Sequence, residues 1–142
     1  MKRKDYTPQA EALFQRFAER HGLSYSVAPE APIETLWIFP EQQKLSMPIM
    51  LGLQNGDALN FGVADFWSYF SPFETVAEEF DRAIDAWVSG DARVAVHRGR
   101  GRKLQMRDGD NWKTLYSANG GLFPILSNPL RFISNRPLNQ QH

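Results

Sequence analysis

Apolar residues near the start of the chain recur at the spacing of one helical face. Thr7 offers an N-cap oxygen, Pro8 suits the first helical position, and Gly22 supplies a stop. The pattern therefore predicts a first helix over about 8–21. Its buried stripe consists of Ala10, Leu13, Phe14 and Phe17.

A second helical stripe follows the segment SPFE, residues 71–74. This segment has the form of a capping box, in which Ser71 and Glu74 satisfy backbone N–H groups reciprocally. Gly90 closes the helix. The apolar positions are Val76, Phe80, Ile84, Trp87 and Val88, and the opposite side is acidic with Glu74, Glu78, Glu79, Asp81 and Asp85.

Between the helices the pattern predicts three or four strands. LSYSVA and TLWIF are two of them, and a hairpin follows that is centred on Asn55 and Gly56. A two-residue loop would pair Gln54 with Asp57. A three-residue loop over 55–57 instead gathers the large apolar side chains on one face, so we predict that register. Its pairs are Leu53 with Leu59, Leu51 with Phe61 and Ile49 with Val63.

After Gly90 the period changes to two, and ARVAVH, KLQMR and WKTLYS predict three further strands. Apolar positions would share one face, and Arg93 and His97 would lie with Lys103, Gln105 and Arg107 on the other. The segment NGGLFPILSNP is expected to form a loop whose apolar part docks on the core. Residues 135–142 are expected to fray.

These elements predict a single α+β domain over 1–142. We expect a largely antiparallel sheet of about six to seven strands, with two main helices packed on one face. A length of 142 residues suffices for an independent core.

Composition narrows the possible chemistry. The absence of cysteine excludes disulfides, thiolate nucleophiles and cysteine-ligated metals, and it fits a cytoplasmic protein. No stretch has the length and apolarity of a membrane span, so no membrane association is expected. The net charge is zero, but residues 1–90 carry 7 Lys and Arg against 13 Asp and Glu, whereas residues 91–142 carry 9 against 3. The two halves can pair within the molecule, or across a homodimer.

The segment HRGRGRKLQ concentrates basic residues around two glycines. Glycines allow a sharp turn, and guanidinium forks projecting from it would suit phosphate or carboxylate. No aromatic residue is interleaved in this segment as a nucleic-acid stacking platform requires. Both interpretations stay open, a solvated hairpin tip and an anion contact. The candidate anion or partner contacts are Arg93, His97, Arg98, Arg100, Arg102 and Arg107.

No catalytic, metal or cofactor motif is legible. His21 falls in the last turn of the first helix, where a structural role is favoured, and His97 is the better acid–base candidate because it neighbours the arginines. The segment DGDN lacks the later ligands of a calcium loop. We therefore expect no cofactor and no catalytic residue.

The segment DFWSYFSPFE places five aromatic residues at the junction between a strand and the second helix. Some belong to the core, and the others can form an amphipathic patch of the kind enriched at protein interfaces. The candidate interface consists of Phe66, Trp67, Tyr69 and Phe70 with the helix residues Glu78, Asp81 and Asp85.

The segment LNFGVADFWSYFSPFE, with the acidic helix and SGDARVAVHRG after it, resembles small uncharacterised bacterial α+β proteins, some of them immunity-like. In that family a strand leads into a Gly-x-x-aromatic-His-x-His-Phe segment, a helix and a hairpin. The resemblance covers about residues 59–116. Trp67 and Tyr69 stand where the family has its histidines, so no histidine chemistry transfers. The resemblance implies a protein partner.

Three functions follow from these observations, in order of preference. The first is a non-catalytic cytoplasmic protein-binding domain, immunity-like in kind. The second is an anion or nucleic-acid binder that uses the basic 93–107 hairpin. The third is a small-molecule enzyme with no recognisable motif.

Overall fold

A computed structural model describes residues 5–118 and 128–136. These residues form two helices and two antiparallel sheets, which confirms the α+β class. The elements are α1 (Thr7–His21), β1 (Ser26–Val27), β2 (Thr35–Phe39), β3 (Ile49–Gln54), β4 (Ala58–Val63), β5 (Phe66–Trp67), α2 (Phe73–Ser89), β6 (Ala92–Val96), β7 (Arg102–Asp108), β8 (Asn111–Ala118) and β9 (Arg131–Ile133).

The first sheet has the order β1-β2-β3-β4-β5, and the second has the order β8-β7-β6-β9. The described part of the chain thus contains nine strands, more than the six to seven expected. The excess comes from β5 and β9, which have two and three residues and are too short to show an alternation from which to predict them.

The hairpin of β3 and β4 has the predicted register. Leu53 lies opposite Leu59, and the other two pairs follow in step along the strands. Asn55 and Gly56 both adopt positive φ, at 57° and 71°, as a tight hairpin turn requires. Because all six paired side chains are buried, a slip of one residue would move the whole set to the opposite face.

Both helices end at the predicted glycines, Gly22 and Gly90, which are left-handed with φ of 62° and 86°. Their N-termini differ from the prediction. Helix α1 begins at Thr7, so this residue is not the cap. Its backbone N–H and its hydroxyl instead donate to Asp5 Oδ1 at 2.9 and 2.6 Å.

The capping box predicted for α2 is also wrong. Pro72 occupies the N-cap position, and its side chain makes no capping hydrogen bond. The N–H of Phe73 donates instead to Asp57 Oδ1 at 2.9 Å, and the Glu74 carboxylate accepts from the Tyr6 hydroxyl. Tertiary contacts thus replace the local box.

The two helices lie over a common aromatic core. Helix α1 packs against β2 and β3, and α2 packs against β4 of the first sheet and against β6 and β7 of the second. Helix α2 therefore joins the two sheets. The largest fully buried side chains include Trp87, Phe14, Phe17, Phe39, Phe61, Phe66 and Phe80.

Asn135 fastens the chain after β9. Its Nδ2 donates to the carbonyls of Lys44 and Val88, both at 2.8 Å, and its Oδ1 accepts from Ser46 N at 2.8 Å. Only 3% of this residue is exposed. The fraying expected from 135 onward therefore does not include Asn135. Residues 137–142, and residues 119–127 of the expected docking loop, lie outside the described part of the chain.

Candidate functional site

The basic hairpin tip between β6 and β7 is held from within by Arg102. Its Nη1 donates to the carbonyls of His97, Gly99 and Gly101 at 3.1, 2.9 and 2.8 Å. The expectation that all three arginines of this tip project outwards is therefore wrong for Arg102. Arg98 and Arg100 are the two that are exposed.

His97 is buried, with 4% of its surface exposed, and does not lie on the polar face predicted for it. Its backbone N–H donates to the carbonyl of Gly101 at 2.9 Å. Strand β6 ends at Val96, so the alternation used for the prediction stops one residue before the histidine. His97 is therefore a buried residue of the β6–β7 hairpin and not part of its exposed polar face.

The aromatic junction divides between core and surface. Phe66 and Phe70 are buried at 2% and 6% exposure, whereas Tyr69 is 47% exposed. Trp67 is half-buried, and its Nε1 donates to Gln54 Oε1 at 3.4 Å. Of the four aromatic interface candidates, Tyr69 alone is exposed and Trp67 is partly so.

The acidic side of α2 is partly occupied by α1. Arg20 Nη2 lies 3.0 Å from Asp81 Oδ1 and 2.7 Å from Asp85 Oδ1, and His21 Nε2 lies 2.6 Å from the same Asp85 oxygen. Glu78 is exposed. Asp81 and Asp85 therefore hold the two helices together, which leaves Glu78 as the accessible carboxylate of the three predicted for an interface.

A cluster of cations and aromatic rings lies on the outer face of the second sheet. The guanidinium carbon of Arg93 is 3.8 Å from the centroid of the Phe132 ring and 4.0 Å from that of Trp112. Arg107 lies over Trp112 at 4.7 Å. The Nε of Arg93 donates to Gln105 Oε1 at 2.8 Å. We call these five residues the Arg93 platform.

Strand register builds this platform. Arg93 pairs with Gln105, and Arg107 pairs with Trp112, across neighbouring strands. Phe132 pairs with Ala95, two residues from Arg93, so its side chain shares the same face. Cross-strand neighbours on one face are close enough for their side chains to stack.

The electrostatics of the platform favour an anion. Burial lowers the pKa of Arg93 from its ordinary value, and the positive charge of Arg107 adds to this effect. Arginine titrates so far above neutral pH that Arg93 stays charged. Among the described residues no carboxylate pairs with Arg93, and neither of its terminal NH2 groups has an acceptor.

Sequence reasoning placed Arg93 and Arg107 in a contact surface but missed Trp112 and Phe132. These rings come from β8 and β9, and only pairing brings them beside the arginines. Alternation in WKTLYS would put Trp112 on the same face as Tyr116, which packs against the core. A register shift between Leu104 and Gln105 separates the two rings, so no local signal places Trp112 beside Arg107.

Among the described residues, no three His, Asp or Glu side chains converge as a metal site would need. In the same part of the chain, neither helix has the length and apolarity to cross a bilayer. Comparison of this chain with protein-family models, with curated proteins and with solved structures finds no match.

Proposed function

We propose that this protein is a non-catalytic binding domain that holds an acidic protein partner on the Arg93 platform. One observation carries the proposal: Arg93 is a cation held between two rings, and its terminal NH2 groups have no acceptor among the described residues. A partner carboxylate would receive both groups in the bidentate geometry that guanidinium favours.

The composition of the platform supports a protein partner. Trp and Arg are the residues most enriched among interface hot spots. Phe132 is 45% exposed and the neighbouring Leu130 is 67% exposed, so apolar area is available beside the charge. Stacking between rings restricts the guanidinium before binding, which lowers the entropy cost of forming the contact.

Nucleic acid is the second candidate, because arginines and aromatic rings share one open sheet face. Single-stranded nucleic acid binds such faces by stacking its bases on exposed ring faces. Here Arg93 covers one face of Phe132, and Arg93 and Arg107 both lie over Trp112. Because these ring faces already contact guanidinium groups, the arrangement favours carboxylate recognition by the edge of Arg93.

Substitution of Arg93 by lysine tests the proposal, because Arg93→Lys keeps the charge and removes the planar fork. We would immobilise the wild type and this variant, capture partners from a nuclease-treated extract of the native host, and measure the affinity of the captured protein by calorimetry. We expect Arg93→Lys to weaken binding about tenfold, or about 1.4 kcal/mol. The control is Arg98→Ala/Arg100→Ala, which removes two exposed charges away from the platform and should change affinity less than about twofold.

Equal affinities of wild type, Arg93→Lys and Arg93→Ala for the captured protein would contradict the proposal. Recovery that disappears after nuclease treatment, with an affinity that falls steeply as salt rises, would support nucleic acid instead. Turnover of a substrate that His97→Ala abolishes would support the enzyme alternative.

A further inference from the structure

The strand that carries Phe132 is an edge strand. Among the described residues β9 pairs with β6 on one side and has no strand on the other. An edge strand presents backbone N–H and C=O groups that another extended chain can pair with. This edge adjoins the Arg93 platform, because Phe132 belongs to both.

A groove of about 500 Å³ runs beside β9. Arg131, Phe132 and Arg136 line it from β9 and the residues after this strand, and Ser46 and Met47 line it from the segment before β3. None of the described residues that line it is acidic. The nearby Asp65 already accepts two hydrogen bonds from Arg102, at 3.1 and 2.8 Å. The groove is therefore positively charged and partly apolar.

The walls of the groove are fixed to one another. Asn135 lies between Ser134 and Arg136 of one wall, and its side chain accepts from Ser46 N in the other at 2.8 Å. Ser46 Oγ in turn accepts from the N–H of Arg136 at 3.0 Å. The groove thus exists before any ligand binds, which reduces the ordering cost of binding.

We infer that the partner contributes an extended acidic segment, which adds as a further strand to the edge of β9 where the described residues place no other strand. This inference rests on the proposed function and specifies how that partner binds. Because side chains alternate along a strand, one set would lie beside Phe132 and Arg93, and the other would enter the groove at Arg131 and Arg136.

Charge complementarity selects this occupant. An added strand satisfies main-chain groups at the edge, and acidic side chains satisfy the arginines on both sides of it. Strand β9 has three residues, which span about 10 Å. A segment of about five residues therefore covers the edge and reaches both sets of arginines.

Defined peptides test the inference on the full-length protein. The probe is a fluorescent ten-residue peptide in which pairs of glutamates alternate with pairs of valines, so that both faces of the added strand carry carboxylates. Its binding is followed by fluorescence anisotropy at physiological salt. The matched control peptide has the same sequence with N-methyl groups on alternate residues, which keep the charge and block strand pairing. We expect the unmodified peptide to bind at least tenfold more tightly than the methylated one.

Two double variants of equal charge separate the groove from bulk electrostatics. Arg131→Ala/Arg136→Ala should weaken peptide binding about tenfold, whereas Arg98→Ala/Arg100→Ala should change it less than about twofold. Equal losses in the two variants would overturn the inference, and so would failure of the unmodified peptide to bind. Circular dichroism and thermal melts would verify that each variant is folded.

The failures of the two proposals are distinguishable. If binding depends on Arg93 but is equal for the methylated and unmodified peptides, strand addition is wrong and the platform remains the binding site. If strand pairing is present but Arg93→Lys binds the peptide and the captured partner as the wild type does, the edge is used without the platform. An oligothymidine probe that binds more tightly than either peptide would overturn both.

Discussion

Arg102 and Asp65 form a two-point ion pair between the tip of the β6–β7 hairpin and the turn that joins β4 to β5. Arg102 Nε lies 3.1 Å from Asp65 Oδ1, and Nη2 lies 2.8 Å from Oδ2. Since the same guanidinium also donates to three carbonyls of the hairpin, it fastens one sheet's loop to the other sheet. The basic tip is thus a structural connection as well as a charged surface.

This ion pair predicts a specific pH dependence of stability. Hydrogen bonds from Arg102 hold the pKa of Asp65 below its usual value. Because the folded pKa is depressed, the contribution is present above the unfolded pKa of about 4 and is lost as the pH falls through the folded pKa. The Asp65 side chain is 64% exposed, so we expect Asp65→Asn to cost no more than about 1 kcal/mol at pH 7 and less at pH 3.

Urea unfolding of wild type and Asp65→Asn at both pH values measures this difference. Asp110→Asn, at an exposed turn position, is the control and should match the wild type at each pH. A cost of Asp65→Asn that stays the same at both pH values would show that the carboxylate charge is not responsible.

Substitution of Asn135 should lower the free energy of unfolding more than substitution of most other polar residues. Replacement by leucine keeps a similar volume but leaves the carbonyls of Lys44 and Val88 and the Ser46 N–H without their partner. We expect a loss of about 2–4 kcal/mol in the free energy of unfolding. Asn128→Leu, at an exposed position near β9, should change it by less than about 0.5 kcal/mol. A loss below 1 kcal/mol for Asn135→Leu would refute the assignment of Asn135 as a structural fastener.

Gly62 is a glycine because Trp67 packs against it. A Cβ at this position would lie 2.7 Å from Cε3 of the indole. We expect Gly62→Ala to destabilise the fold by about 1–3 kcal/mol through overpacking. The loss should shrink by at least about 1 kcal/mol in a Trp67→Leu background, and thermal melts of the four proteins in the cycle measure this coupling. An unchanged loss in that background would place the strain elsewhere.

The contact between Arg20 and Asp85 predicts a coupling between the two helices. Both side chains are more than a third exposed, so the coupling energy from a double-mutant cycle should be about 0.5–1 kcal/mol. Raising the salt to 1 M should reduce it, because exposed charges are screened. A cycle between Arg16 and Asp85 should show no coupling, since no ion pair joins these residues.

The predictable features of this chain are the local ones. Gly22 and Gly90 end their helices as predicted because glycine adopts the left-handed conformation without a steric cost. The register of β3 and β4 followed from the side-chain alternation, since one face had to gather six apolar groups. The predictions of the two N-terminal caps were wrong because other residues accept the hydrogen bonds there. Asp5 accepts from the N–H of Thr7 at α1, and the distant Asp57 accepts from the N–H of Phe73 at α2.

In the candidate site, too, the local features were predictable from the sequence and the contacts between distant residues were not. Sequence placed Arg93 and Arg107 on a polar sheet face, and alternation was sufficient for that prediction. It also placed His97 on that face and expected Arg102 to project from the turn. His97 is buried because β6 ends at Val96, and Arg102 turns inward because carbonyls of the tip accept hydrogen bonds from it. The aromatic junction was ambiguous because five rings in nine positions cannot share one environment.

By itself the sequence determined the fold class, the two helices and the central hairpin, because these depend on the periodicity of apolar residues within short segments. Only the tertiary structure decided that Arg93 lies between Trp112 and Phe132, and that Asp81 and Asp85 bind α1. Both depend on which distant segments pack together. Such contacts are set by the burial of the whole chain, and no single segment encodes them.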